Sequence, residues 1–352
     1  MDSPELESIG AHGKMKAVIL VGGKGTRLLP LTCNLPKPMV PVLNQPFMEY
    51  VIEHLSQHGV REIIMAMNYL PDAIATYFGS GAAFDSHIIY EVEKTPMDTA
   101  GAVKNCEDHC DGAFFVLNGD IFTDLDLKDM IRFHRSKKAK ATICLTPVAD
   151  PTAYGLIETD RGGRVTRFLE KPKPEEITTN MINAGTYILE LDVLNHIPRD
   201  TPFSFERKLF PTLLESGVPV YAYPSDAYWI DIGRPEKYHQ LNRDLLKNRR
   251  KKTIIGEGCQ IHPSAKLRGA VVIGAGCAVG ENAVIQDSVI WRNVQIEAGA
   301  MIKGSLVADG CHLKQGCRLE EAILGEHVTI GEGAKVGRGS KLWPYTVIEP
   351  GK

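Results

Sequence analysis

No stretch of this 352-residue chain is apolar for long enough to cross a bilayer, which argues against a transmembrane helix. An excess of one charge is missing too. Forty Lys and Arg stand against 43 Asp and Glu, a net −3, so there is no basic field for nucleic acid and no polybasic tail for a membrane surface. Residues 1–14, MDSPELESIGAHGK, lack the charged-then-apolar order of a secretory signal and read as a mobile extension ahead of a domain starting near Met15. None of the eight cysteines forms a C-x-x-C pair or stands at a zinc spacing from histidine. Most of them read as small buried hydrophobes, and free thiols in that number suit a reducing cytoplasm. The length allows about two domains.

What is present falls into two grammars. Up to about residue 245, apolar strands (16–21, 61–67, 87–91, 113–118 and 141–146) alternate with amphipathic helices such as 46–58 and 126–135. That alternation predicts an α/β domain, a Rossmann-like, mostly parallel sheet with helices on both faces. After residue 252 a six-residue rhythm takes over, with aliphatics at Ile255, Ile261, Leu267, Ile273, Val279 and Ile285. It slips by a residue or so and resumes at Ile296, Ile302, Leu313, Leu319, Leu324, Ile330, Val336, Leu342 and Ile348. Small residues (Cys259, Ala265, Cys277, Ala283, Ala300, Cys317, Ala334 and Ser340) follow many of these four positions later. A hexapeptide period predicts a triangular solenoid of about five coils, with the aliphatics stacked inside and the small residues in the corners. The expected organisation is an extension at 1–14, a catalytic domain at 15–240, a linker at 241–252 and a β-helix at 253–352. The basic run Arg249–Lys252 reads as a solvated helix end.

The chemistry starts at "LVGGKGTRLLPLT", Leu20 to Thr32. Gly22, Gly23 and Gly25 strip Cβ atoms from the turn after the first strand, so the backbone can bend sharply and present N–H groups to phosphate oxygens. The spacing fits neither G-x-x-x-x-G-K-[ST] nor G-x-G-x-x-G, and a tight strand-to-helix turn explains the glycines equally well. Arg27 closes the turn, and Lys37 is presented between two prolines that fix its backbone. Asp120 follows the strand 113–118, at the edge where open α/β sheets bind ligands, although Asn118-Gly119-Asp120 is also good turn chemistry. Asp231 lies among apolar residues in "WIDIG", where an unpaired charge would be costly.

Taken in order, Gly22–Arg27, Pro36-Lys37-Pro38, "FVLNGDI", "AYGLIE", "FLEKP", "INAGTYIL" and "WIDIGRPEKY" resemble the motifs of the sugar-1-phosphate nucleotidyltransferases, or nucleotide-sugar pyrophosphorylases. The resemblance extends over the chain from Met15. It is strongest to the mannose-1-phosphate guanylyltransferases that carry a C-terminal left-handed β-helix. It implies attack by a sugar-phosphate oxygen on the α-phosphorus of a nucleoside triphosphate, with GTP and mannose 1-phosphate giving GDP-mannose. Such a reaction needs in-line positioning and neutralised phosphate charge more than covalent help from the protein.

The resemblance implies a nucleotide site of Leu20, Gly22, Gly23, Gly25, Thr26, Arg27, Thr99, Gly101 and Asn118. It implies a sugar-phosphate site of Gly155, Glu170, Lys171 and Asn183, and Mg²⁺ shared by Asp120 and Asp231. Arg27, Lys37, Asp120, Lys171 and Asp231 are the implied catalytic set. One departure stands out: "EKTPMDTAGAV" has Met97-Asp98 where the family usually reads Leu-Gly. Asp98 reads as a solvent-facing turn residue or as an acceptor for a base amino group.

Other readings stay open. Glucose 1-phosphate with dTTP, UTP or ATP keeps the chemistry and changes the substrates; a regulatory subunit would keep the fold without turnover. An acyltransferase built on the solenoid would want a histidine base, for which His262, His312 and His327 are candidates. A cytoplasmic homo-oligomer completes the expectation, with the flat solenoid faces offering subunit contacts or an effector site.

Overall fold

The computed structural model describes residues 15–352, and the predicted extension 1–14 lies outside the described residues. The chain packs as two units, residues 15–23 with 49–229, and 24–48 with 230–352.

The first unit is built on a mixed sheet. Its strands are β1 (Lys16–Leu20), β2 (Glu62–Met67), β3 (His87–Val92), β4 (Phe114–Asn118), β5 (Ala141–Pro147), β6 (Gly155–Thr159), β7 (Val165–Glu170), β8 (Met181–Leu189) and β9 (Val220–Pro224). The order runs β7-β6-β8-β4-β1-β2-β3, with β5 also pairing β8, and β9 pairing β5. Strands β3, β2, β1 and β4 are mutually parallel, whereas β8 runs antiparallel to β4 and β5. The chain winds from β1 outward to β3 and then crosses back to β4, so a topological switch point falls between β1 and β4. Ligands of open α/β sheets bind outside the carboxyl ends of the strands at such a point.

Helices α1 (Phe47–Gln57), α2 (Pro71–Phe78), α3 (Asp98–Asn105), α4 (Leu127–Lys137) and α5 (Phe210–Glu215) connect these strands. Val18, Ile64 and Val116 join one apolar cluster with Val103 of α3 and Phe210 of α5. Ala17, Ile19 and Phe115, on the opposite face, are equally inaccessible. Burial on both sides is why these strands read as unbroken apolar runs.

The second unit holds α6 (Pro235–Asn248), the short hairpin Pro41–Val42/Gln45–Pro46 and the solenoid. The predicted linker is mostly helix: Leu241, Asn242, Leu245 and Leu246 of α6 are buried, and the basic run 249–252 is exposed beyond it. The solenoid has three parallel sheets of six, six and five strands. Ile285, Ile302, Leu319 and Val336 stack in register down one of them, 17 residues apart.

The slip in the hexad rhythm is one corner shortened by a residue. Asp287, Gly304 and Glu321 turn it with left-handed φ of 45°, 58° and 47°. Ser288 and Ser305 stack behind that corner, each hydroxyl accepting from the next coil's backbone N–H at 3.1 Å. Cys277, Ala283, Ala300, Cys317 and Ala334 are at most 1% exposed, as expected for tight corners, whereas Cys259, Ala265 and Ser340, in the coils near either end, are only partly buried. Ile255 departs from expectation: although it sits on the inner column beside Ile273, it is 48% exposed. It belongs to the first coil, which is stacked on one side only. All eight cysteines are free thiols, and six are buried.

Candidate nucleotide and sugar-phosphate site

In the first unit, the turn after β1 is tied to its neighbours by two backbone bonds. Val21 donates to Ala66 O of β2, and Gly119 donates to Leu20 O, each at 2.9 Å. A Cβ on Gly119 would lie 2.6 Å from that carbonyl oxygen, so only glycine lets Asp120 follow β4 so closely beside β1. Gly23 has no atom within 4 Å of its missing Cβ and faces open space. Leu20, Gly22, Gly23, Asn118 and Asp120 therefore sit together at the carboxyl edge of the switch point.

Glu93 belongs to the same edge, directly after β3, and sequence reasoning missed it. Its N–H donates to Met67 O at 2.8 Å, and its Oε2 lies 3.8 Å from the Cβ position of Gly22. The other oxygen, Oε1, is shut off from solvent with no hydrogen-bond partner. Burial, opposed by the Met97 N–H and aided by the nearby Asp98 charge, pushes this carboxyl up to about 7. The one available signal was an acid immediately after a parallel strand, in the same stretch as the Met97-Asp98 departure.

Asp98 is partly exposed where the turn enters α3 and carries two local partners. Its φ is +60°, a left-handed conformation that explains why glycine commonly stands there. Asn and Asp tolerate this conformation better than other side chains. Here Oδ1 accepts from Thr99 N at 2.8 Å, and Oδ2 pairs with Arg207 at 2.6 Å. The Thr99 hydroxyl accepts from Phe205 N at 2.9 Å and donates to Glu206 at 3.4 Å. Gly101 packs against the backbone of Thr201 and Phe203, where a Cβ would lie 3.0 and 3.3 Å away. Thr99 and Gly101 thus fasten the start of α3 to the 201–207 segment.

The sugar-phosphate candidates also gather within this unit. A Cβ on Gly155 would stand 3.0 Å from Glu170 Oε2, so the glycine makes room for that carboxylate. Burial, followed by the Glu206 charge, raises the Glu170 carboxyl above its ordinary range, against the pull of Lys171 and Arg207. Lys171 is exposed with φ +49°, a costly conformation for a lysine and one that clusters at ligand sites. Asn183 accepts from Gly185 N at 3.0 Å and donates to Tyr187 OH at 2.8 Å, holding the irregularity in β8. Gly185 leaves space for Asn118, whose Nδ2 would otherwise lie 2.5 Å from its Cβ.

In the second unit, Gly25 adopts φ +63° and its carbonyl accepts from the Thr32 hydroxyl at 2.9 Å; Thr26 and Arg27 begin a short 3₁₀ turn. Lys37 is buried, not the solvated lysine that type alone suggests, with its side chain only 8% exposed. Its Nζ lies 3.6 Å from Asp231 Oδ1, and the Arg27 guanidinium lies 3.8 Å from Oδ2. A Cβ on Gly233 would sit 2.6 Å from that guanidinium and 2.7 Å from Asp231 Oδ1, which accounts for the glycine of "WIDIG". The Gly233 N–H also donates to Asp231 at 2.6 Å. Two cations thus converge on one carboxylate and concentrate positive charge beside it.

On the solenoid, the three candidate histidines are engaged locally: His262 with Ser264 at 2.8 Å, His312 with Glu297 at 2.6 Å, and His327 stacked on Tyr345. Among the described residues no group of three or more His, Cys, Asp or Glu is arranged to hold a metal. No helix there is long and apolar enough to cross a membrane.

A sheet with an open glycine turn at its switch point, followed by a hexad solenoid, defines a class that comparison with known proteins identifies. Residues 16–248 match the "Nucleotidyl transferase" family model, and residues 238–351 match the "EIF2B subunit epsilon LbH domain" model. The chain belongs to the nucleotidyl transferase family and ends in a left-handed β-helix. It is 36% identical over 304 residues to a mannose-1-phosphate guanylyltransferase of Mycobacterium tuberculosis, covering 83% of this chain and 84% of that one. It is 35% identical over 337 residues to a UTP–glucose-1-phosphate uridylyltransferase of Synechocystis, covering 83% and 87%. Among solved structures, HddC from Yersinia pseudotuberculosis complexed with GMP-PN superposes with a TM-score of 0.58 at 33% identity, covering 66% of this chain and 99% of that one.

Proposed function

We propose that the protein transfers a guanylyl group from GTP to mannose 1-phosphate, releasing pyrophosphate and forming GDP-mannose. The relative from Mycobacterium tuberculosis carries that name, and Glu93 is the observation that favours the base. Guanine presents N1–H and N2–H₂ side by side, a pair of donors that an ionised carboxylate accepts with both oxygens. Uracil and thymine present a single N–H between two carbonyl oxygens, and those acceptors would face the acceptors of Glu93. An unpartnered buried acceptor costs about 1–3 kcal/mol, which a guanine donor would offset.

In the proposed reaction a sugar-phosphate oxygen attacks the α-phosphorus. The new P–O bond forms as the bond to the β-phosphate breaks, and pyrophosphate leaves with the electron pair. The backbone of Gly22, Gly23, Gly25 and Thr26 offers N–H groups to the triphosphate, and Arg27 and Lys37 neutralise its charge. Lys171 takes the sugar phosphate. Glu170 accepts from sugar hydroxyls, with Asn183 and the Gly155 backbone beside it. Enzymes of this family use divalent cations; here Asp120 and Asp231 are the proposed ligands of Mg²⁺, which takes few protein carboxylates together with phosphate oxygens and water. Bound there, the ion would neutralise phosphate charge as it builds in the transition state. The free thiols support a cytoplasmic setting, and a homo-oligomer remains the proposed assembly.

The Synechocystis relative favours a second reading, UTP with glucose 1-phosphate. Pyrophosphate release with GTP, UTP, dTTP and ATP against mannose and glucose 1-phosphates decides between them. Binding of substrates without turnover would instead favour a regulatory subunit.

A further inference from the structure

The hydroxyl of Tyr238 ties the strand shortly after Lys37 to the helix shortly after Asp231 and to the solenoid. Tyr238 lies one turn into α6, in the helix that begins shortly after Asp231. It is fully buried. Its hydroxyl donates at 2.5 Å to Pro41 O, in the strand that follows the Lys37–Met39 turn. The same hydroxyl accepts from Nε1 of Trp291, a buried solenoid residue, at 3.1 Å. An indole N–H can only donate, so it fills an acceptor site on the phenol oxygen and leaves the single phenol proton for Pro41. Three more bonds brace the joint. Leu43 N donates to Asn242 Oδ1 at 3.0 Å, Asn242 Nδ2 to Tyr238 O at 3.0 Å, and Asn44 Nδ2 to Ile273 O of the solenoid at 2.8 Å.

We infer that Tyr238 is a positioning residue that sets Lys37 against Asp231, and that Trp291 makes the solenoid a working part of the phosphate grip. The inference rests on the proposed contact of Lys37 with the triphosphate, and it is independent of which base or sugar is used. Without the hydroxyl, the strand after Lys37 loses its tie to the helix that follows Asp231, and the buried ammonium can drift from its carboxylate partner. The packing of the ring itself is unchanged.

The test uses the full-length protein and inorganic tripolyphosphate, followed by calorimetry, with melting temperature as a control. Lys37→Gln should weaken tripolyphosphate binding; if it does not, the phosphate reading fails, and this inference fails with it. Tyr238→Phe should weaken binding by about threefold to tenfold, the scale of one hydrogen bond. Added to Lys37→Gln it should cause no further loss, a result that a merely structural role would not give. Trp291→Phe should act in the same direction, more weakly, and without additivity to Tyr238→Phe. Unchanged affinity in Tyr238→Phe, or an equal loss with and without Lys37, would overturn the inference. If Tyr238→Phe does not fold, Trp291→Phe alone and with Lys37→Gln decides by the same criteria.

Discussion

The α/β unit and the solenoid answer differently to the same question: how much does one residue depend on distant ones? In the solenoid each inner aliphatic meets its equivalents one coil away, as Ile285 meets Ile302 and Ile302 meets Leu319. One rule repeated along the chain therefore specifies the structure. In the α/β unit the decisive neighbours share no period. Gly119 is required by Leu20, Gly155 by the Phe168 ring and Glu170, and Gly185 by Asn118. A repeat spreads its stability over equivalent positions, whereas a site concentrates its requirements in a few contacts that must all be right.

That contrast can be broken most sharply at the charged site. Lys37→Gln and Asp231→Asn should each lower kcat/KM by about 10²–10³, the scale for losing one preorganised electrostatic contact in a transition state. Steady-state pyrophosphate release measures this, with circular dichroism showing an unchanged fold. Equal losses of activity and structure would instead make the pair a packing feature. Next comes Gly119→Ala, whose new methyl would meet the Leu20 carbonyl at 2.6 Å. It should lower stability by more than the corresponding step in the solenoid, where Ile302→Ala removes buried methyl groups at about 2–5 kcal/mol. Thermal melts of the two variants compare non-repeating with repeating contacts directly.

Much of the fold was legible because burial leaves a pattern. The doubly buried strands read as apolar runs, and the inner columns of the solenoid read as hexads. The shortened corner was visible only as a slip, since Asp287, Gly304 and Glu321 share a left-handed turn but no residue type. Ile255 was misplaced because a period tells which column a residue joins and not whether another coil covers it. Motif order singled out Gly155, Glu170, Arg27, Lys37 and Asp231, but not the pairing of both cations with Asp231. Glu93 stayed hidden because sequence does not show which acid is buried, and Arg207 and Tyr238 because their partners Asp98 and Trp291 are remote in sequence. Asp98 shows this most clearly: its conformation is glycine's, and its side-chain partner lies 109 residues away.

Smaller effects sharpen the picture at that position. Asp98→Gly relieves a left-handed aspartate and gives up an exposed ion pair worth about 0–1 kcal/mol, so its melting temperature should barely move. Asp98→Ala keeps the strain and loses the pair, and should fall below both by about 1–2 kcal/mol. The Glu93 carboxyl gives the pH dependence. Its ordinary value is 4.5 and burial raises it to about 7, so the neutral acid is favoured below about 7 and the ionised acceptor above it. A raised carboxyl stabilises the fold less as pH climbs from its ordinary value towards 7, while guanine binding improves over the same range. The KM for GTP should therefore fall between about pH 6 and 8 without a matching change in kcat, and Glu93→Gln should flatten the profile.

The most direct measurement is initial-rate pyrophosphate release by the wild-type and Glu93→Gln proteins, each given GTP or UTP with mannose 1-phosphate or glucose 1-phosphate. The account predicts that the wild type prefers GTP with mannose 1-phosphate, and that Glu93→Gln loses most of its advantage for GTP over UTP. A wild-type preference for UTP, or a base preference that Glu93→Gln leaves intact, would contradict it.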